Sequence, residues 1–152
     1  MSNKKPKIMS DLTFRIKAES ATAAKTIVRA RNFEIVVDEP ESLGGSDEAP
    51  NPVEYVLAAF GGCLNVIGHL LAKEMGFELR SLKIDISGKL NPAKLFGQSE
   101  AERAGYKSIT VRINPDCDAD KATLEKWLQA VKNRCPVSDN LQYNTPVDVK
   151  LA

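Results

Sequence analysis

Histidine occurs once in this 152-residue chain, at position 69, and no two cysteines stand in CxxC spacing. With cysteines only at 63, 117 and 135, no metal-ligand set can be read, and neither a metal nor another cofactor is expected. The cysteine number is odd and the spacings are wide, which argues against a disulfide scaffold and leaves a redox-active pair open. An excess of one charge is also missing: 21 Lys and Arg against 20 Asp and Glu give +1, with no long block of either sign. A dedicated nucleic-acid binder is usually clearly basic, so no nucleic-acid partner is expected. Three lysines lie among the first seven residues with no apolar run behind them, so no secretory signal is read. Residues 1–10 are expected as a flexible tail and residues 11–152 as one cytoplasmic domain.

What the chain does have is a stretch at 51–74, NPVEYVLAAFGGCLNVIGHLLAKE, with no formally charged residue from Tyr55 to Ala72. Asn51 suits an N-cap, Pro52 the first helical position, and Glu54 an approximate capping box. A helix of about 35 Å follows. Its length is marginal for a membrane span and it is rich in Ala and Gly, so it reads as a core helix sheathed by protein on most sides. Gly76 is its natural stop, with Phe77 folding back on the last turn.

Before this helix, residues 11–19 alternate through Leu12, Phe14 and Ile16 as a strand, and residues 25–30 and 33–38 supply two more around a turn at Arg31–Asn32. A Pro- and Gly-rich loop then leads to the helix. After it, residues 79–90 alternate through Leu82, Ile84 and Ile86, residues 91–105 form a polar excursion, and residues 108–114 form another strand. Asp118 or Asp120 can cap a helix to Arg134 with Leu124, Trp127, Leu128 and Val131 on one face. Pro136 favours a short helix, and residues 146–151 a final strand. The order is α+β, antiparallel, with segregated helices.

Cys63 lies midway along the helix, some three turns from its start, where the helix dipole does little to activate a thiol. It is either small packing or a nucleophile that needs a separate cationic or hydrogen-bonding partner. Cys135 precedes Pro136 at a helix cap, where free N–H groups favour a thiolate. Cys117 sits among acids that oppose its ionisation and reads as a bystander. Gly61 and Gly62 suggest close approach of another backbone, or room for a substrate beside the sulfur. His69 lies about 120° around the helix from Cys63, so it reads as a packed, hydrogen-bonded histidine rather than half of a Cys–His pair.

NPVEYVLAAFGGC, the apolar helix behind it, and CPVS after an amphipathic helix together resemble the OsmC/Ohr family, the osmotically inducible protein C and organic hydroperoxide resistance proteins. The likeness covers nearly the whole chain, and DEPESLGG resembles the less characterised OsmC-like branch. It implies an intertwined homodimer, with antiparallel sheets wrapped around long central helices and sites at the interface. It also implies reduction of an organic hydroperoxide by Cys63, a sulfenic acid resolved by Cys135, and a disulfide reopened by a dithiol reductant. Peroxidase members carry Glu directly after Asn-Pro, paired with an arginine that holds the thiolate. Here that place is Val53 and the nearest glutamate is Glu54, about 180° around the helix from Cys63. Arg31, and after it Arg29, are the candidate arginines. The displaced glutamate supports the alternative, a non-catalytic dimer binding a small apolar ligand in the interface cleft.

Overall fold

The computed structural model describes residues 10–151, and they fall into two units that divide between Pro52 and Val53. Most of the expected tail, residues 1–9, lies outside the described residues.

The first unit is an antiparallel meander of β1 (Lys17–Ser20), β2 (Thr26–Ala30) and β3 (Phe33–Val37). β1 is shorter than the alternation at 11–19 suggests. Lys17 already pairs with Arg29, and β2 ends at Ala30, so residues N-terminal of Ile16 run past the end of the one neighbour they have among the described residues. A strand without a partner leaves its backbone groups unpaired, and Leu12, Phe14 and Ile16 stand exposed. Arg31 takes the left-handed conformation in the β2–β3 turn, at φ 56°. The following loop is not wholly irregular, since Glu41–Leu43 forms one 3₁₀ turn. The loop is drawn in by Asp38, whose Oδ2 accepts N–H bonds from Ser46 and Glu48 at 3.1 and 3.2 Å. Burial pushes the Asp38 carboxyl up, but the Glu39, Glu48 and Ser46 backbone bonds and the Lys25 charge outweigh it and hold it below the usual value.

The second unit holds α1 (Pro52–Glu74), β4 (Leu79–Lys89), β5 (Ser108–Cys117), α2 (Lys121–Arg134) and α3 (Pro136–Gln142). α1 stops as its glycine requires. Gly76 sits at φ 78°, Phe77 N–H reaches Ala72 O at 3.1 Å, and Gly76 N–H reaches Lys73 O at 3.3 Å, a Schellman closure. By length and composition α1 could cross a bilayer. Here Phe60, Leu64, Gly68, Leu71 and Ala72 form its buried line. The sheathing is one-sided, since Val66 is 64% exposed and Val53, Val56 and Leu70 are open too.

β4 and β5 pair from Leu79–Cys117 to Lys89–Ser108, so β5 runs past residue 114 to take in Pro115 and Cys117. Their half-buried faces, Leu82, Ile84 and Ile86 with Ile109, Val111 and Ile113, pack on the core of α1 and α2. Asp120 caps α2 by accepting the Thr123 N–H at 2.8 Å. Trp127 and Val131 are buried, whereas Leu128 is 40% exposed and faces a cavity described below. Residues 146–151 form no strand: no described strand lies alongside them, and Val147, Val149 and Leu151 are exposed. The whole is α+β with antiparallel sheets.

Candidate active site

Two elements deliver the two sulfurs. α1 carries Cys63 midway along its length. Cys135 is the single residue between α2 and α3, closing the one and capping the other. Its extended backbone and the Pro136 that follows make it the N-cap of α3, and its Sγ accepts the Ser138 N–H at 3.4 Å. Cys135 continues the buried stripe of Trp127 and Val131 at four-residue spacing, and is itself 1% exposed.

The sulfurs of Cys135 and Cys63 lie 3.1 Å apart, with the Cys135 thiol donating. Both are free thiols. A disulfide needs about 2.05 Å, so closure requires an approach of only about 1 Å. The electrostatics reverse the expectation for Cys135. Burial, and then the hydrogen bond to Cys63, push its thiol up, and the N–H groups of Ser138 and Val137 offset this only in part. Desolvation outweighs the cap, so Cys135 stays a thiol and donates to Cys63.

Beside the pair is a cavity of about 790 Å³. Val53, Val56, Phe60 and Leu64 of α1 line one side, Ile109, Val111 and Ile113 of β5 another, and Leu128, Ser138 and Leu141 a third. Neither sulfur lines it, but Leu64 follows Cys63 in sequence and Ser138 bonds Cys135, so the two are neighbours rather than one space. In its wall the Tyr106 hydroxyl donates to Val53 O at 2.8 Å. Burial and the Glu54 carboxylate push the Tyr106 phenol up, which keeps it a donor.

Of the four site residues read from the sequence, Cys63 and Cys135 meet. Glu54 lies in the first turn of α1, about 13.5 Å along the axis from Cys63, where its charge is felt at Tyr106. Arg31 belongs to the first unit, its guanidinium 4.9 Å from the centre of the Phe33 ring. His69 is exposed rather than packed; its Nδ1 is 3.0 Å from Asn65 O. Cys117 is half-buried at the end of β5, and its flanking acids Asp116 and Asp118 are both held by Arg80. Among the described residues no group of three or more His, Cys, Asp or Glu could hold a metal ion.

A Cβ on Gly61 would meet Ile86 Cδ1 at 3.4 Å, an ordinary contact, and the tight approach along α1 within the chain is one of side chains, at Gly68. A Cβ on Gly62 would meet nothing within 4 Å, whereas one on Gly68 would lie 3.1 Å from both Leu82 Cδ2 and Trp127 Cζ2. Trp127 Nε1–H also donates to Gly68 O at 2.8 Å. Gly68, Trp127, Tyr106 and Ser138 carry no catalytic signature in the sequence. Ser138 lay in the CPVS motif and Trp127 is the one tryptophan, which are the only sequence signals for them.

The family model described as OsmC-like protein matches residues 45–150. No protein with a curated description matches the sequence significantly. Among solved structures, an OsmC-like protein from Mycoplasma pneumoniae is 16% identical, with 88% of this chain and 89% of that one covered and a TM-score of 0.76. An organic hydroperoxide resistance protein OsmC from Legionella pneumophila is 18% identical, with 88% and 92% covered and a TM-score of 0.63. The organic hydroperoxide resistance protein OhrB of Bacillus subtilis is 17% identical, with 88% and 93% covered and a TM-score of 0.58. At these identities the likeness is one of fold.

Proposed function

The chain belongs to the OsmC-like protein family, and from that premise we propose that it reduces organic hydroperoxides through Cys63 and Cys135. The observation that carries this reading is the 3.1 Å between the two sulfurs. The Cys63 thiolate attacks the outer peroxide oxygen, the O–O bond breaks, and the alcohol leaves with a proton, so that Cys63 becomes a sulfenic acid. Cys135 then attacks the Cys63 sulfur, the S–S bond forms, and the sulfenic oxygen leaves as water. A dithiol returns two electrons and two protons and regenerates both thiols. The family resemblance implies an arginine that holds the thiolate and a glutamate that pairs with that arginine, and Arg31 and Glu54 are the proposed candidates for these two roles.

The working form is proposed to be a cytoplasmic homodimer built from one OsmC-like domain per chain. Val66 and Leu70 of α1, which are exposed and do not line the cavity, support the dimer, because an exposed apolar patch on a core helix marks an interface.

The test is a thiol count on folded protein before and after one equivalent of cumene hydroperoxide. Two of the three thiols are expected to disappear, with Cys63 and Cys135 joined in the peptide map. An unchanged count would overturn the reading. The apolar cavity favours a second reading, binding of a small apolar ligand, under which Cys63→Ala keeps any ligand-induced rise in Tm.

A further inference from the structure

Cys135 directly follows α2, so its sulfur goes where the end of α2 goes. α2 is tied to α1 at three points, one midway along it and two at its end. Trp127 Nε1–H donates to Gly68 O in a buried bond of 2.8 Å. Arg134 grips Glu74 at both carboxylate oxygens, Nη1 on Oε2 and Nη2 on Oε1. Cys135 touches Cys63. The neighbouring residues Arg134 and Cys135 therefore reach positions 74 and 63 of α1, about 16 Å apart along its axis, and Trp127 holds a point between them. The fork is two-sided: shifting the end of α2 along α1 in either direction strains one arm.

We infer that Gly68, Trp127, Glu74 and Arg134 are positioning residues that hold the Cys135 sulfur against Cys63 for bond closure. The inference rests on the proposed hydroperoxide chemistry and concerns its second step, in which the S–S bond forms, the Cys63 S–O bond breaks, and the hydroxyl leaves as water with the Cys135 proton. None of the four touches the reacting atoms. Gly68 sets the closeness of the tie, since any Cβ there forces the indole or Leu82 outward by a few tenths of an ångström. A misplacement of about 1 Å costs a well-aligned reaction on the order of 100-fold, so this smaller shift corresponds to roughly 3- to 10-fold.

The test compares wild type with Gly68→Ala, Trp127→Phe and Glu74→Gln by two measurements. The first is equilibration with glutathione redox buffers, in which the two protein thiols reduce one glutathione disulfide to two glutathiones and become the Cys63–Cys135 disulfide. The second is oxidation by cumene hydroperoxide with dimedone present, read as the ratio of disulfide to trapped Cys63 sulfenic acid. Asp38→Ala, which removes the loop bonds to Ser46 and Glu48 and touches none of the ties, serves as a destabilised control.

In the three variants the equilibrium constant for disulfide formation and the trapping ratio are expected to fall about 3- to 10-fold. The initial rate of Cys63 oxidation should fall less than either ratio, because in the first step Cys135 only donates a hydrogen bond to Cys63 and forms no covalent bond. The control should lose Tm and keep both ratios. Lowered Tm with unchanged ratios in the three variants overturns the inference, as does an equal fall in the control. A wild type inert to hydroperoxide refutes the proposed function alone, because the glutathione equilibrium still decides whether the ties position the sulfurs.

Discussion

Gly88→Ala offers a test of the cavity wall that needs no substrate. An alanine Cβ at this position in β4 would stand 2.4 and 2.5 Å from Tyr106 Cε1 and Cδ1, and 3.1 Å from Cζ. Ordinary carbon contacts lie at about 3.5–4.0 Å, so the ring must withdraw by roughly 1 Å. That movement drags the hydroxyl from Val53 O, which it now meets at 2.8 Å. Losing the bond costs about 0.5–1.5 kcal/mol and the overpacking about 1–3 kcal/mol. Replacing glycine in a strand returns about 0.5–1 kcal/mol through the unfolded chain. The net is a loss of about 2 kcal/mol, which for a chain of this length lowers Tm by roughly 4–8 °C. The decisive comparison is a double-mutant cycle by thermal unfolding. With Tyr106→Ala already in place the obstacle is gone, and Gly88→Ala should stabilise by about 0.5–1 kcal/mol. A cost that is equal in both backgrounds, or absent when Tyr106 is present, would refute the packing argument.

Cys135→Ala removes one small buried side chain, for a cost of about 1 kcal/mol, so the variant should fold. Under hydroperoxide it should lose one thiol instead of two and give a near-stoichiometric dimedone adduct at Cys63, measured by intact mass; an absence of adduct in folded protein would contradict Cys63 as the peroxide-attacking sulfur. In the first unit, the folded-state value of the Asp38 carboxyl is depressed, so the stability it contributes is full above the ordinary 3.8 and is lost as pH falls through the lower folded value. The amide shifts of Ser46 and Glu48 should titrate together with a midpoint below 3.8, and Asp38→Ala should abolish that transition; a midpoint above 3.8 would show that burial dominates.

Much of this fold is legible wherever a local rule decides. Asn-Pro and Gly76 bracket α1, alternation marks β4, Asp120 starts α2, and Pro136 starts α3. Illegibility begins where a partner decides. The same alternation that makes Leu82, Ile84 and Ile86 a strand fails at Leu12 and Phe14, because β2 ends too soon to pair with them, and at 146–151, where no described strand lies alongside. Three interior helix glycines look alike in sequence, and the packing of Trp127 and Leu82 tells Gly68 from Gly61 and Gly62. For the site, the residue types and the motif single out Cys63 and Cys135, but their 3.1 Å separation depends on how α2 crosses α1. The ionisation of Cys135 could not be read locally either, because its cap and its burial act in opposite directions and only the packed structure shows which prevails.

The sulfur of Cys135 has two employments. It accepts the N–H that starts α3, and it is the atom that faces Cys63. α3 in turn contributes Ser138, Leu141 and Gln142 to the cavity wall. A change in bonding at this one atom is thus felt at once by the first turn of α3, and the chamber where an apolar molecule would lodge shares a hinge-pin with the electron store beside it.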